Sequence, residues 1–165
     1  MDLFYKIQTT EVPLQKSTIL VLPFSRDEFL DKLAKSTLTT CRNHSSSQSE
    51  SYLFCGKIDK QKFKILRKSV HGVTFLPILE GYVEDTKRGC IVFLHYKLFN
   101  NIKQFFFFAL LFILCVSGYF FFIKEEPMNT FLCFLFISLN YAVAHVNFRR
   151  QVRLTHQELI KVIES

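Results

Sequence analysis

The chain has 165 residues, of which 49% are hydrophobic and 16% aromatic, including 20 Phe. So high an apolar fraction excludes an intrinsically disordered chain, and the low Gly and Pro content excludes a collagen-like or low-complexity one. Lys and Arg (21) outnumber Asp and Glu (14), which gives a net charge of +7. The length allows one domain, with at most one appendage.

The first third of the chain predicts a strand, a helix and a loop, in that order. Residues 19–22 are a short apolar and β-branched run, typical of a strand. Ser25 and Glu28 have the spacing of a capping box, which predicts a helix from there to about Lys35. Residues 39–51 are polar, with three consecutive serines, and have the composition of a loop.

Two β-hairpins are predicted next. Alternating apolar and polar residues indicate strands over residues 52–58 and 63–69, and a second pair over 73–83 and 90–98. Gly89 is expected to supply a positive-φ position in the second turn.

Two uncharged runs of 19 residues follow, at positions 105–123 and 128–146. A helix needs about 20 apolar residues to cross a bilayer core of about 30 Å. Because backbone groups in lipid must be satisfied within the segment, each run is predicted to be a transmembrane helix. The alternative is two core helices of a soluble protein, which a domain this small could hardly bury.

The distribution of positive charge predicts the orientation of these helices. Six Lys or Arg residues flank the outer ends of the two runs: Lys97, Lys103, Arg149, Arg150, Arg153 and Lys161. Only Lys124 lies in the turn between them. The positive-inside rule therefore places both termini in the cytoplasm. No secretory signal is recognisable, so we expect a multi-pass protein of the plasma (inner) membrane.

The end of the chain is predicted to complete the soluble domain. Residues 148–154 alternate as in a strand, and Thr155 with Glu158 has the spacing of a second capping box. The expected fold is α+β: a small antiparallel sheet with N- and C-terminal helices packed on it, interrupted by a two-helix transmembrane hairpin. Its parts are a cytoplasmic domain (1–103), the hairpin (104–146), and a closing strand and helix (147–165).

Three motifs with the hairpin after them resemble a family of small bacterial two-helix membrane proteins of uncharacterised function: Phe54-x-Gly56-x-Ile58, Phe63-x-Ile65-x-Arg67 and Phe75-x-Pro77-x-x-x-Gly81. The chain departs from that pattern in two places. It has Gly89-Cys90 where a Gly-Thr pair is expected, and it lacks a Pro before the first membrane helix. The resemblance implies an architecture, with no activity and no catalytic residues.

The sequence contains no recognised catalytic motif, so we expect a protein that is not an enzyme. Cys41 and His44 have metal-ligand spacing but lack a second pair, so neither a metal nor another cofactor is expected. The odd number of cysteines argues against a disulfide framework in the cytoplasm. Glu80 and Glu84 are expected to be solvated strand residues rather than an acid–base pair, and His95 a hydrogen-bonded core residue rather than a base.

Polar and small residues in the second run predict helix packing. Asn140 lies deep in the run, and Ser138 and Ala142 are spaced as in small-xxx-small motifs. We expect these three residues to share a face that packs within the hairpin or between two copies. Transport is the less favoured role, because two helices alone cannot line a pore.

The densest basic cluster consists of Lys57, Lys60, Lys62, Lys64, Arg67 and Lys68. In a regular strand Lys62, Lys64 and Lys68 project from one face. The membrane anchor makes anionic lipid headgroups the expected partner, contacted by Lys57, Lys62, Lys64 and Lys68. Nucleic acid is not expected, because aromatic residues do not alternate with the charges. A merely solvated face is the alternative.

These patterns predict a membrane-anchored, non-enzymatic interaction module. Its partner on the cytoplasmic side would be a protein, a second copy of the chain, or anionic lipid headgroups. The alternative is a membrane-associated enzyme or a small oligomeric transporter with a site that the sequence does not reveal.

Overall fold

The fold is described by a computed structural model, which covers residues 5–12, 15–39, 52–68, 76–122, 124 and 127–164. The elements in this part of the chain are, in order, β1 (Tyr5–Val12), β2 (Gln15–Leu22), α1 (Arg26–Lys35), β3 (Thr37–Leu38), β4 (Phe54–Ile58), β5 (Lys62–Arg67), β6 (Ile78–Thr86), β7 (Gly89–Lys97), α2 (Asn100–Phe122) and α3 (Pro127–Glu164). The α+β class is confirmed.

The strands form one mixed sheet in the order β1-β2-β7-β6-β5-β4-β3. Neighbouring strands pair antiparallel, apart from the short parallel pair β3–β4. The expectation of a purely antiparallel sheet is therefore wrong at this edge. Residues 39–53, which separate β3 from β4, are long enough for the crossover that parallel strands require.

The predicted N-terminal helix and both hairpins are confirmed, although the strand predicted over 73–83 is observed at Ile78–Thr86 and residues 69–75 lie outside the described part of the chain. Ser25 caps α1, because its side-chain oxygen accepts a hydrogen bond from the Glu28 backbone N–H at 3.3 Å. Gly89 follows the β6–β7 turn with a φ of 142°, and a Cβ there would collide with the carbonyl oxygen of Leu22. Strand β1 was not predicted from the sequence.

One face of the sheet carries the core, which α1 and the second half of α3 cover. The buried residues of α3 recur at helical spacing: Ala144, Phe148, Val152, Thr155, Leu159, Val162 and Ile163. The strand predicted over 148–154 is therefore wrong, and so is the helix start at Thr155. Phe148 and Val152 are four residues apart, which fits one helix face, and no Gly or Pro ends the helix that precedes them.

Helix α2 and the first half of α3 contact each other but hardly enter the core. In the most apolar 18-residue window of each helix, only 6% and 11% of the residues are buried. This exposure contradicts the alternative of two soluble core helices, which would be mostly covered. Both helices are long and apolar enough to cross a membrane.

The cysteines depart from one expectation. Cys55 is disulfide-bonded, whereas Cys90, Cys115 and Cys133 are free. The argument against disulfides from the odd number of cysteines is therefore wrong at Cys55, because an odd number leaves one thiol over without preventing others from pairing. Cys90 is fully buried, and burial raises the pKa of its thiol to about 11.

We expect Leu159→Ala to destabilise the soluble domain by about 2–5 kcal/mol, because it opens a cavity between α3 and the sheet. The buried Cys90 thiol provides the measurement, since it reacts with a maleimide only after unfolding. The labelled fraction is measured at increasing urea concentration in the full chain, in which Cys115 and Cys133 are replaced by Ser. The exposed neighbour Gln157→Ala is the control. Equal urea midpoints for the two variants would show that α3 does not contribute to the core.

Candidate functional site

None of the described helices covers the sheet face opposite α1 and α3, which we call the open face, and a row of polar side chains crosses it. Strand register brings together one residue from each of five neighbouring strands: Ser17, His95, Glu80, Lys64 and Lys57. Since successive strand residues alternate between faces, their neighbours along each strand point into the core. This polar row is the densest group of ionisable side chains on the described open face, and we treat it as the candidate site.

Glu80 is the electrostatic centre of the polar row. Its carboxylate accepts a hydrogen bond from Lys97 Nζ at 2.8 Å and pairs with Lys64 Nζ at 3.1 Å. The Lys97 hydrogen bond is the largest influence that holds the pKa of Glu80 below its usual range, and it outweighs the opposing effect of partial burial. Glu80 is therefore an ionised carboxylate that bridges two lysines, and it is not suited to donate a proton.

His95 was expected in the core and lies instead on the open face. Its Nδ1 is 2.8 Å from Ser17 Oγ, and both side chains are accessible to solvent. Both faces of β7 are largely apolar, so its sequence could not show which parity would be buried. Within the described residues no hydrogen bond joins His95 to a carboxylate, so the row lacks the acid of a Ser-His-acid triad.

Aromatic residues stand beside the polar row. The rings of Tyr82 and Phe93 are 6.4 Å apart on adjacent strands, and Lys62 Nζ lies 6.0 Å from the Tyr82 ring centroid. No pattern along the sequence predicts this grouping, because the three residues come from three strands and meet only through sheet pairing. The open face therefore combines basic, aromatic and apolar side chains.

The structure spreads the four lysines predicted to bind lipid. Lys57 lies opposite Lys64 and pairs with Asp59 at 3.5 Å. Lys62 and Lys64 project from one exposed face, as predicted, and Lys68 is exposed just after β5 ends. Two of these residues, Lys57 and Lys62, lie at the end of the β4–β5 hairpin farthest from Arg67, where β5 meets α3. Their role in lipid binding stays a prediction.

Two hydrogen bonds tie the sheet to α3. Arg67 Nη2 donates to Gln151 Oε1 at 2.6 Å, and the Tyr96 hydroxyl is 2.8 Å from His156 Nδ1. Burial raises the pKa of Tyr96, so its hydroxyl stays protonated. Together with the buried face of α3, these bonds fix the helix to the sheet.

Ser138, Asn140 and Ala142 are exposed and do not share one face of α3. Residues two apart lie about 200° apart around a helix, so the prediction of a common face is wrong. The Asn140 amide donates instead to the Phe136 carbonyl at 2.8 Å within its own helix. Among the described residues, the buried residue of α3 next to these three is Ala144. Packing between two copies through Ser138, Asn140 and Ala142 stays a prediction.

Within the described ranges, no three His, Cys, Asp or Glu side chains are grouped as a metal site. The predicted pair Cys41 and His44 lies outside those ranges.

Comparison with known proteins adds no family to this description. No family model matches the chain, and neither the curated proteins nor the solved structures gave a match. The resemblance to small bacterial two-helix membrane proteins stays a prediction.

The lowered pKa of Glu80 predicts a pH dependence of stability. Its ion pairs stabilise the fold above the pKa of an unfolded Glu, about 4.3, and this contribution is lost as pH falls through the lower folded value. Glu80→Gln should therefore flatten the loss of stability between about pH 5 and pH 3. Because the Glu80 side chain is 34% exposed, the effect should be below about 1 kcal/mol.

Urea midpoints measured across this pH range test the expectation, with Glu84→Gln as the control on the same strand face. If both variants lost stability with pH to the same reduced extent, the effect would come from net charge and not from the Glu80 ion pairs.

Proposed function

We propose that the chain is an integral membrane protein of the plasma (inner) membrane and works as a non-enzymatic interaction module. In this proposal α2 and the first half of α3 form a transmembrane hairpin that interrupts a cytoplasmic α+β domain. The domain binds a protein partner, a second copy of the chain, or anionic lipid headgroups. Membership of a bacterial two-helix family is part of the same proposal.

The continuity of α3 is the observation that supports this proposal most. The helix has 38 residues, exposes apolar side chains along its first half, and buries Phe148, Val152 and Leu159 in the domain core along its second half. A soluble chain would leave the first half in contact with water at a cost of about 25 cal/mol per Å² of apolar surface. A bilayer removes that cost and holds the domain beside its surface.

The orientation rests on charge. The positively charged outer flanks favour a cytoplasmic domain. The disulfide bond at Cys55 is the one observation that favours the opposite side, since disulfides persist mainly in oxidising compartments. The charge distribution outweighs this observation, because it acts on the helices whose insertion sets the topology.

An enzyme is the second candidate, and the Ser17–His95 hydrogen bond is the observation in its favour. A histidine bonded to a serine can act as its general base. The ring is bonded through Nδ1 on an accessible sheet face, however, and Glu80, the nearest acid of the row, is held by lysines. The interaction module therefore remains the better supported function.

The topology provides the test of this proposal. We expect reporters fused before Met1 and after Ser165 to be active only as cytoplasmic reporters, because both termini are joined to the apolar runs through their positively charged outer flanks. A cysteine placed at Asn129, with Cys115 and Cys133 replaced by Ser, should react with an impermeant reagent added outside the cell. Labelling of both termini from outside would invert the orientation, and extraction of the chain by alkaline carbonate would contradict membrane insertion itself.

A further inference from the structure

Three arginines follow directly on the apolar half of α3. Arg149, Arg150 and Arg153 are exposed, whereas Phe148 and Val152 beside them are buried against the sheet. At 3.6 residues per turn, Arg149, Arg153 and Arg150 lie about 100°, 140° and 200° around the axis from Phe148. They therefore form one basic face of α3 that points away from the core, which we call the arginine face.

The sequence around the arginine face is poor in acidic residues. Positions 97–124 and 127–157 contain neither Asp nor Glu. In the described part of the chain, no carboxylate pairs with Arg150 or Arg153. Arginines three and four positions apart on a helix are neighbours and repel one another. Arg150 and Arg153 are thus neighbouring positive charges with no carboxylate partner among the described residues.

Arg67 adds a partly buried guanidinium at the same level of α3. Its Nη2 donates to Gln151, the residue after Arg150, and its Nε is buried without an acceptor in the described structure. Burying an arginine without a carboxylate is unfavourable unless an anion from outside the chain compensates the charge. This orphaned donor is independent of the exposed arginines and indicates an anion at the same junction.

Position along the helix identifies the anion. If the apolar run ends at Val146, then Arg149 to Arg153 lie about 4.5 to 10.5 Å beyond it at 1.5 Å per residue. Lipid headgroups occupy about the first 5–7 Å outside the hydrocarbon core, and arginine side chains reach several ångströms back along a helix towards them. The planar guanidinium matches the oxygens of a phosphate in a two-point contact.

We infer that the arginine face, together with Arg67, binds the phosphate groups of anionic phospholipids. This inference rests on the proposed function, because it needs the apolar half of α3 to lie in a bilayer. It differs from the lipid site predicted at Lys57, Lys62, Lys64 and Lys68, of which Lys57 and Lys62 lie at the far end of the β4–β5 hairpin from Arg67. The site holds the domain against the bilayer by one helix.

Native mass spectrometry of the full chain in mild detergent tests the inference. Phosphatidylglycerol and phosphatidylcholine are titrated separately, and the apparent affinity for the first bound lipid is compared. We expect phosphatidylglycerol to bind more tightly to the parent chain, and Arg150→Gln with Arg153→Gln to lose about tenfold or more of that affinity. The matched control is Lys87→Gln with Arg88→Gln, the same charge change in the β6–β7 turn at the far end of β7 from α2. It should change the affinity by less than about twofold.

Three outcomes would overturn the inference: equal affinity of the parent for both lipids, an equal loss in the control pair, or a loss confined to a Lys57→Gln, Lys62→Gln variant. Protection of Cys90 from maleimide in each variant shows that the domain is still folded. Resistance of the parent to alkaline carbonate separates the two proposals. If the chain resists extraction but shows no lipid preference, the lipid site is wrong and membrane insertion stands.

Discussion

Helix α3 has an exposed apolar half and a half that packs in the domain core, joined by one continuous backbone. The positions of the other elements depend on this continuity. Its first half is apolar on all sides and exposed, while its second half has a single buried stripe that includes Phe148, Val152 and Leu159. Because no Gly or Pro interrupts the helix between these halves, the direction of the first fixes the position of the second. The bonds from Arg67 and Tyr96 then hold the sheet to the helix.

Patterns within a few residues of each other predicted the helix start, the hairpins and the long apolar helices correctly. The capping box at Ser25, the two hairpins and the two long apolar runs all follow from spacing within a few residues. The strand over 148–154 was wrong because three apolar residues among polar ones fit either period over so short a window. Helix cooperativity decides between the two structures, because a helix that is already formed extends through such a window more easily than a strand can start there.

The candidate sites depended on contacts that no local pattern contains. Glu80 lies between two lysines from neighbouring strands, and Tyr82 and Phe93 stand beside Lys62, only because of strand register. The alternation of residues along β7 could not place His95 correctly, because both faces of this strand are apolar enough to be buried. The arginine face, by contrast, could have been found from the sequence: its residues share a helix face once residues 148–154 are taken as helical.

The continuity of α3 is tested most directly by a distance across the junction between its halves. Spin labels at the exposed positions Leu139 and Lys161, in the full chain in lipid nanodiscs, are 22 residues apart. A continuous helix places their backbones about 33 Å apart at 1.5 Å per residue. Double electron–electron resonance should then give one narrow distribution near that distance. A broad distribution, or one centred well below about 30 Å, would show a hinge or break in the helix and contradict the rigid link between membrane segment and domain.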